Sequence, residues 1–182
     1  ITILKQLRNS NLLIIGYGSI GKKYRYSAAK FFEKEKIHIF SKHKNNNNDL
    51  KKFKNIKNLN YVILSNRANE RIKFFKSFIK KNSTYILEKP ISSDVLENFS
   101  KKNFLDIIKK NKIKIKTGYC LRLNPAVKKL KQVIKKKINQ IINIKMNTTT
   151  YLPSWRDGDY TKSVSANKKF GGGVINELSH EL

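Results

Sequence analysis

Short aliphatic runs alternate with longer amphipathic stretches through the first two thirds of the chain. Residues 12–15 are an unbroken apolar run entering Gly16-Tyr17-Gly18-Ser19-Ile20-Gly21, and residues 22–34 can be helical. The order is strand, glycine turn, helix. Residues 37–40 predict a second short strand, 42–48 a polar loop with four consecutive asparagines, and 49–53 a short helix. Residues 61–64 predict the next strand, after which Ile72, Phe75 and Ile79 fall at helical spacing within 68–80 and turn one face inward. Residues 84–87 return to strand and are broken by Pro90. Ser93 and Asp94 suit the N-cap of a helix reaching residue 110, and residues 113–117 predict a strand ending at Gly118. Pro125, after Asn124, suits the first turn of a helix through 137.

Up to about residue 118 this β-α-β alternation with short connections predicts an α/β fold, a Rossmann-type doubly wound parallel sheet covered by helices. From Gln140 the pattern changes. Residues 141–152 alternate polar with apolar positions (Ile142, Ile144, Met146), as an antiparallel strand with one wet face would. The expected organisation is therefore a nucleotide-binding domain over 8–122 and, over 123–182, the incomplete start of an α+β domain with an antiparallel sheet. No repeat recurs at a fixed period.

Length and composition sharpen this. With 182 residues, 39% hydrophobic, the chain has room for one full domain and part of a second. Forty Lys and Arg against twelve Asp and Glu give a formal charge of +28, which raises nucleic acid or an anionic membrane surface as partners. Thirty-four of the forty are Lys and six are Arg, and Ile (23) and Asn (21) are also over-used, as AT-rich codons would produce. The lysines are scattered and the aromatics sit mostly on apolar faces, so the charge reads as solvated surface and no nucleic acid is expected. Lys135-Lys136-Lys137 reads as a helix end that suits the dipole. A lone cysteine, Cys120, excludes an internal disulfide, reads as a small buried hydrophobe, and points to a reduced, cytoplasmic protein. No run approaches eighteen apolar residues and no secretory leader is visible, so no membrane is expected. The chain begins without Met and stops within an apparent helix, and it reads as a fragment.

The chemistry concentrates at four places. Gly16, Gly18 and Gly21 match the dinucleotide fingerprint, in which the first glycine permits the tight turn, the second lets backbone approach a pyrophosphate, and the third lets helix pack on strand. Backbone N–H groups of Tyr17, Ser19 and Ile20 and the helix dipole complete the anion site. At the tip of the second strand an NAD site usually places a carboxylate to accept from the ribose 2′-OH; Ser41-Lys42-His43-Lys44 stands there instead. A hydroxyl flanked by cations suits a 2′-phosphate, so NADP is favoured, while the abundance of Lys leaves NAD open. Glu88-Lys89-Pro90 ends a strand, where doubly wound sheets bind ligands. The fourth place is Gly171-Gly172-Gly173 with Glu177 and His180.

Together with Gly118-Tyr119 through Arg122 and Pro125, these motifs resemble, in the same order, the glucose-fructose oxidoreductase / inositol dehydrogenase family (Gfo/Idh/MocA). The resemblance implies an NAD(P)-dependent oxidoreductase that moves hydride between nicotinamide and a carbinol or carbonyl carbon of a sugar or polyol. It implies a second α/β domain on a large antiparallel sheet and homo-oligomerisation of the full protein. Lys89 would stand beside the nicotinamide and the reacting carbon, with Pro90 fixing its backbone. His180 would accept the substrate proton, and Glu177, three residues before it, would polarise the site; Asn176 stands at the other helical spacing. Ser65, Asn66 and Arg67 would pass under the nicotinamide ribose and phosphates. Arg122, Trp155 and Arg156 would lie near the cofactor, although the residues alone suit packing for Trp155 and surface charge for the arginines equally well. His38 and His43 read as ordinary histidines. A nucleotide-binding fragment without catalysis is the alternative.

Overall fold

The computed structural model describes residues 2–41, 49–91, 101–155 and 157–178. Five strands, β1 (Asn11–Ile15), β2 (Ile37–Phe40), β3 (Leu59–Leu64), β4 (Thr84–Leu87) and β5 (Lys114–Thr117), form one sheet in the order β2-β1-β3-β4-β5. Every pairing is parallel. The expected Rossmann-type doubly wound sheet is therefore present. The chain steps from β1 outward to β2, then crosses back to β3 on the other side of β1. The carboxyl ends of β1 and β3 thus flank the switch point where such sheets form a crevice.

The central strands read as near-continuous apolar runs because parallel strands are covered on both faces. Leu13, Ile15, Phe40, Leu64, Tyr85 and Leu87 point to one face with Phe74, Phe75 and Phe78, which lie on or just beyond α4 (Ala68–Ser77). Phe104, Ile107 and Ile108 of α5 (Lys101–Lys110) and Leu50 of α3 (Asp49–Lys52) join them. Leu12, Ile14 and Ile63 point to the other face, covered by Tyr24 and Ala28 of α2 (Ser19–Ala28). On β5 the exposed Lys114 and Lys116 alternate with the half-buried Ile115, so that edge strand is apolar on one face only.

Helix bounds differ from the sequence reading at their ends. Helix α2 closes at Ala28 rather than 34, where amide N–H groups of residues 30–32 turn back onto Ser27 and Ala28. Helix α4 closes at Ser77, ahead of a turn at Asn82 whose φ of 57° is left-handed. A first helix, α1 (Thr2–Arg8), was not legible, since it has no apolar stripe of useful length. The proposed N-cap at Ser93 and Asp94 lies outside the described residues. Asn124 does cap α6 (Pro125–Lys136), its Oδ1 accepting from the Ala126 N–H at 2.8 Å.

The antiparallel strand expected over 141–152 is not formed. Residues 141–151 carry no strand, and Ile142, Ile144 and Met146 are exposed. An alternating pattern makes a strand only when a neighbour supplies ladder bonds, and among the described residues none pairs with this run. Cys120, read as buried, is exposed within a 3-10 turn over 120–123. The apolar positions of α6, including Val127, Leu130 and Val133, are likewise open to solvent.

This division predicts a contrast in urea denaturation. Phe75→Ala, at a fully buried ring, should lower stability by about 3–5 kcal/mol. Leu130→Ala on the open face of α6 should change it by less than about 0.5 kcal/mol. Equal effects would show that the core is misplaced.

Candidate functional site

Four backbone hydrogen bonds carry the sheet ladder one residue past its strands. The Gly16 N–H donates to the Phe40 carbonyl at 2.9 Å, Ser65 to Ile15 at 2.8 Å, Glu88 to Leu64 at 3.0 Å and Gly118 to Leu87 at 2.9 Å. The first residue beyond each strand is thereby fixed in register, and the glycine turn, the Ser65 loop and the Glu88-Lys89-Pro90 corner share one edge. They open into a single cavity of about 580 Å³.

The glycine turn is tightly built. Gly16 has φ +95°, and a Cβ there would meet the Asn66 nitrogen at 2.5 Å. A Cβ at Gly21 would fall 2.1 Å from the Gly16 carbonyl, so helix and turn touch as the third glycine's role requires. A Cβ at Gly18 would meet nothing within 4 Å. Backbone at Gly18 faces open space at the amino end of α2, and Tyr17, Ser19 and Ile20 line the cavity beside it. Ser65 also lines it, and its hydroxyl donates to the Gly16 carbonyl at 2.8 Å, tying the two turns together.

A buried guanidinium holds the other wall. Arg71 on α4 is 4% exposed, and its Nη1 donates to the carbonyls of Glu88 (2.8 Å) and Pro90 while Nη2 donates to that of Asn66. One side chain thus joins the loop after β3 to the corner after β4. Burial lowers its pKa to about 10, opposed chiefly by the Glu88 carboxylate, so it stays a cation at neutral pH. Its Nε and the Asn66 Oδ1 are buried without hydrogen-bond partners among the described residues.

Lys89 follows, and its peptide to Pro90 is cis. Its Nζ donates to the Glu177 carbonyl at 3.2 Å and lies 3.5 Å from the Glu177 carboxylate. Glu177 belongs to α7 (Val174–Leu178), directly after the triple glycine. That turn is as close-packed as the first: a Cβ at Gly172 would lie 1.9 Å from the Val164 carbonyl, and Gly171 and Gly173 have positive φ. The segment is held against α4. Asn69 donates to the Lys169 carbonyl at 2.7 Å, and the Arg67 guanidinium sits 4.1 Å from the centre of the Phe170 ring.

Of the residues singled out from the sequence, Gly16, Tyr17, Gly18, Ser19, Ile20, Ser41, Ser65, Asn66, Arg67, Glu88, Lys89 and Glu177 line this one cavity, and Gly21 supports it from behind. Arg122, exposed in its 3-10 turn, and Trp155, whose indole N–H donates to Thr150, do not line it. Lys42, Arg156 and His180 lie outside the described residues. Two residues the sequence reading passed over belong to the site. Arg71 lines it, and Tyr24 donates its hydroxyl to Glu88 Oε1 behind it. Scarcity of Arg was the available signal for Arg71; nothing in the pattern marked Tyr24.

No protein-family model and no curated protein matches the chain. Among solved structures it is similar to scyllo-inositol dehydrogenase from Lactobacillus casei in its apo form, with TM-score 0.56 and 14% identity over 72% of this chain and 43% of that one. The same dehydrogenase with bound NAD(H) and scyllo-inositol aligns with TM-score 0.53 and 15% identity over 71% of this chain and 42% of that one. An NAD-binding protein from Listeria innocua aligns with TM-score 0.53 and 14% identity over 70% and 40%. This likeness shows the fold, and the chain spans less than half the length of the proteins it resembles.

Proposed function

We propose that this chain is the nucleotide-binding part of an NAD(P)-dependent oxidoreductase acting on a CH–OH carbon of a sugar or polyol. What supports the reading is that the glycine turn, the Lys89 corner and Glu177 converge on one cavity. The residues present fit a dinucleotide. Gly18 offers open backbone at a helix amino end for a pyrophosphate, and the buried Asn66 Oδ1 is an acceptor in want of a hydroxyl or amide donor. In this reading Gly16, Tyr17, Gly18, Ser19 and Ile20 hold the diphosphate, Ser41 and Lys42 the adenosine ribose with NADP favoured, and Ser65, Asn66 and Arg67 the nicotinamide side.

The bound nicotinamide supplies or accepts the hydride. Lys89 donates a hydrogen bond to the substrate oxygen and stabilises alkoxide charge as it develops. Glu177 holds the Lys89 ammonium in place from α7, and His180 receives the hydroxyl proton. Residues 8–122 form the nucleotide-binding unit in this reading, and 123–182 open a second domain that carries the substrate contacts and the oligomer interface. The scyllo-inositol held by a neighbour of the same fold favours a polyol as the substrate class.

Fluorescence titration tests the first part. NADPH and NADH should bind this chain, and Gly18→Asp should weaken both by at least about tenfold, because it sets a carboxylate in the diphosphate position. Absence of binding to the folded parent overturns the reading. Lys42→Asp should shift preference toward NADH; an unchanged ratio of affinities removes the NADP assignment. In the complete enzyme, assayed with scyllo-inositol, Lys89→Ala should lower kcat by about a hundredfold or more while nucleotide Kd stays within about twofold. An unaltered kcat removes Lys89 from the chemistry.

A further inference from the structure

The Lys89 ammonium pairs with Glu177, and the Glu88 carboxylate just before it belongs to a residue only 9% exposed at the end of β4. Two hydrogen bonds occupy that carboxylate. The Tyr24 hydroxyl donates to Oε1, and the Lys89 backbone N–H donates to Oε2 at 3.3 Å. Tyr24 sits on the second turn of α2, the helix whose amino end carries the glycine turn. The bond therefore ties the dinucleotide helix to the corner that bears Lys89.

Surrounding backbone leaves this pair little freedom. A Cβ at Gly118 would lie 2.6 Å from Glu88 Oε1 and 3.2 Å from the Tyr24 hydroxyl, so the end of β5 presses on the bond from the far side. Arg71 holds the Glu88 and Pro90 carbonyls from the α4 side. Burial, reinforced by Glu88, pushes the Tyr24 phenol well above its ordinary range, so it remains a donor at every working pH. With the carbonyls of the residues on either side of it held by one group and its own N–H by another, Lys89 has its backbone fixed, and its side chain extends along the cavity to Glu177.

We propose that Tyr24 and Glu88 form a brace between α2 and β4 that sets the aim of Lys89, which makes Tyr24 a positioning residue for the Lys89 chemistry. The inference rests on the oxidoreductase reading for its purpose, and on geometry alone for its existence. Tyr24 lies outside the cavity lining, so its effect passes through Glu88 and the corner.

Competitive acetylation of this chain with acetic anhydride, read lysine by lysine by mass spectrometry, tests the brace without a substrate. Tyr24→Phe removes one oxygen and should raise the labelling rate of Lys89 about fivefold relative to the other lysines, Lys22 and Lys23 on α2 included. Gly118→Ala, whose Cβ crowds the Glu88 carboxylate at 2.6 Å and the Tyr24 hydroxyl at 3.2 Å while removing neither group, should raise it in the same way. An unchanged Lys89 rate in both variants overturns the proposal. So does a uniform rise at all lysines, which reports lost folding rather than lost aim. NADH titration of the same proteins separates the two readings: Tyr24→Phe should bind within about twofold of the parent. A parent that fails to bind NADH while Lys89 still responds to Tyr24→Phe ends the dinucleotide reading and supports the brace.

Discussion

Strand β1 is the constraint from which the rest is measured. Its residues Leu12 to Ile15 are at most 2% exposed, paired along one edge to β2 and along the other to β3, and covered on both faces. Parallel pairing sends every strand end to the same edge, so residues distant in sequence arrive together there. The backbone bonds at Gly16, Ser65, Glu88 and Gly118 extend that register just beyond the sheet. The cavity is a by-product of this edge, lined by residues that follow β1, β2, β3 and β4.

Polar groups then turn a crevice into a site. Arg71 is costly to bury, and it is retained with both terminal nitrogens donating to carbonyls of the loops it joins. The Tyr24–Glu88 bond does the corresponding work on the opposite side of the Lys89 corner. Such groups fix loops more sharply than apolar packing does, because a displaced hydrogen bond leaves a buried polar atom without a partner. The wall carrying Lys89 is thus held by donors from two helices on opposite faces of the sheet.

The later part of the chain is organised differently. Residues 168–170 lie against α4, and the segment around them completes the cavity through Ser165, Gly171 and Glu177. Between them and β5, helix α6 and residues 141–151 expose Val127, Leu130, Val133, Ile142, Ile144 and Met146. Among the described residues, a run with the alternation of a strand and a helix with an apolar stripe both stand exposed.

The strands and the glycine fingerprint were legible because they are local. An aliphatic run of four to six residues between turn signals has few other folds open to it, and all five strands fall within two residues of the positions the pattern predicts. The grouping of Gly18, Lys89 and Glu177 was legible only through motif order, since no spacing in the chain states that three distant segments share an edge. What the tertiary structure alone decided was the partner of each polar group. Tyr24 looks like any helix tyrosine until β4 brings Glu88 against it, and Arg71 like a surface charge until two loops close over it. The alternation over 141–152 failed for the converse reason: ladder bonds belong to a pair of strands, and a single segment cannot encode its neighbour.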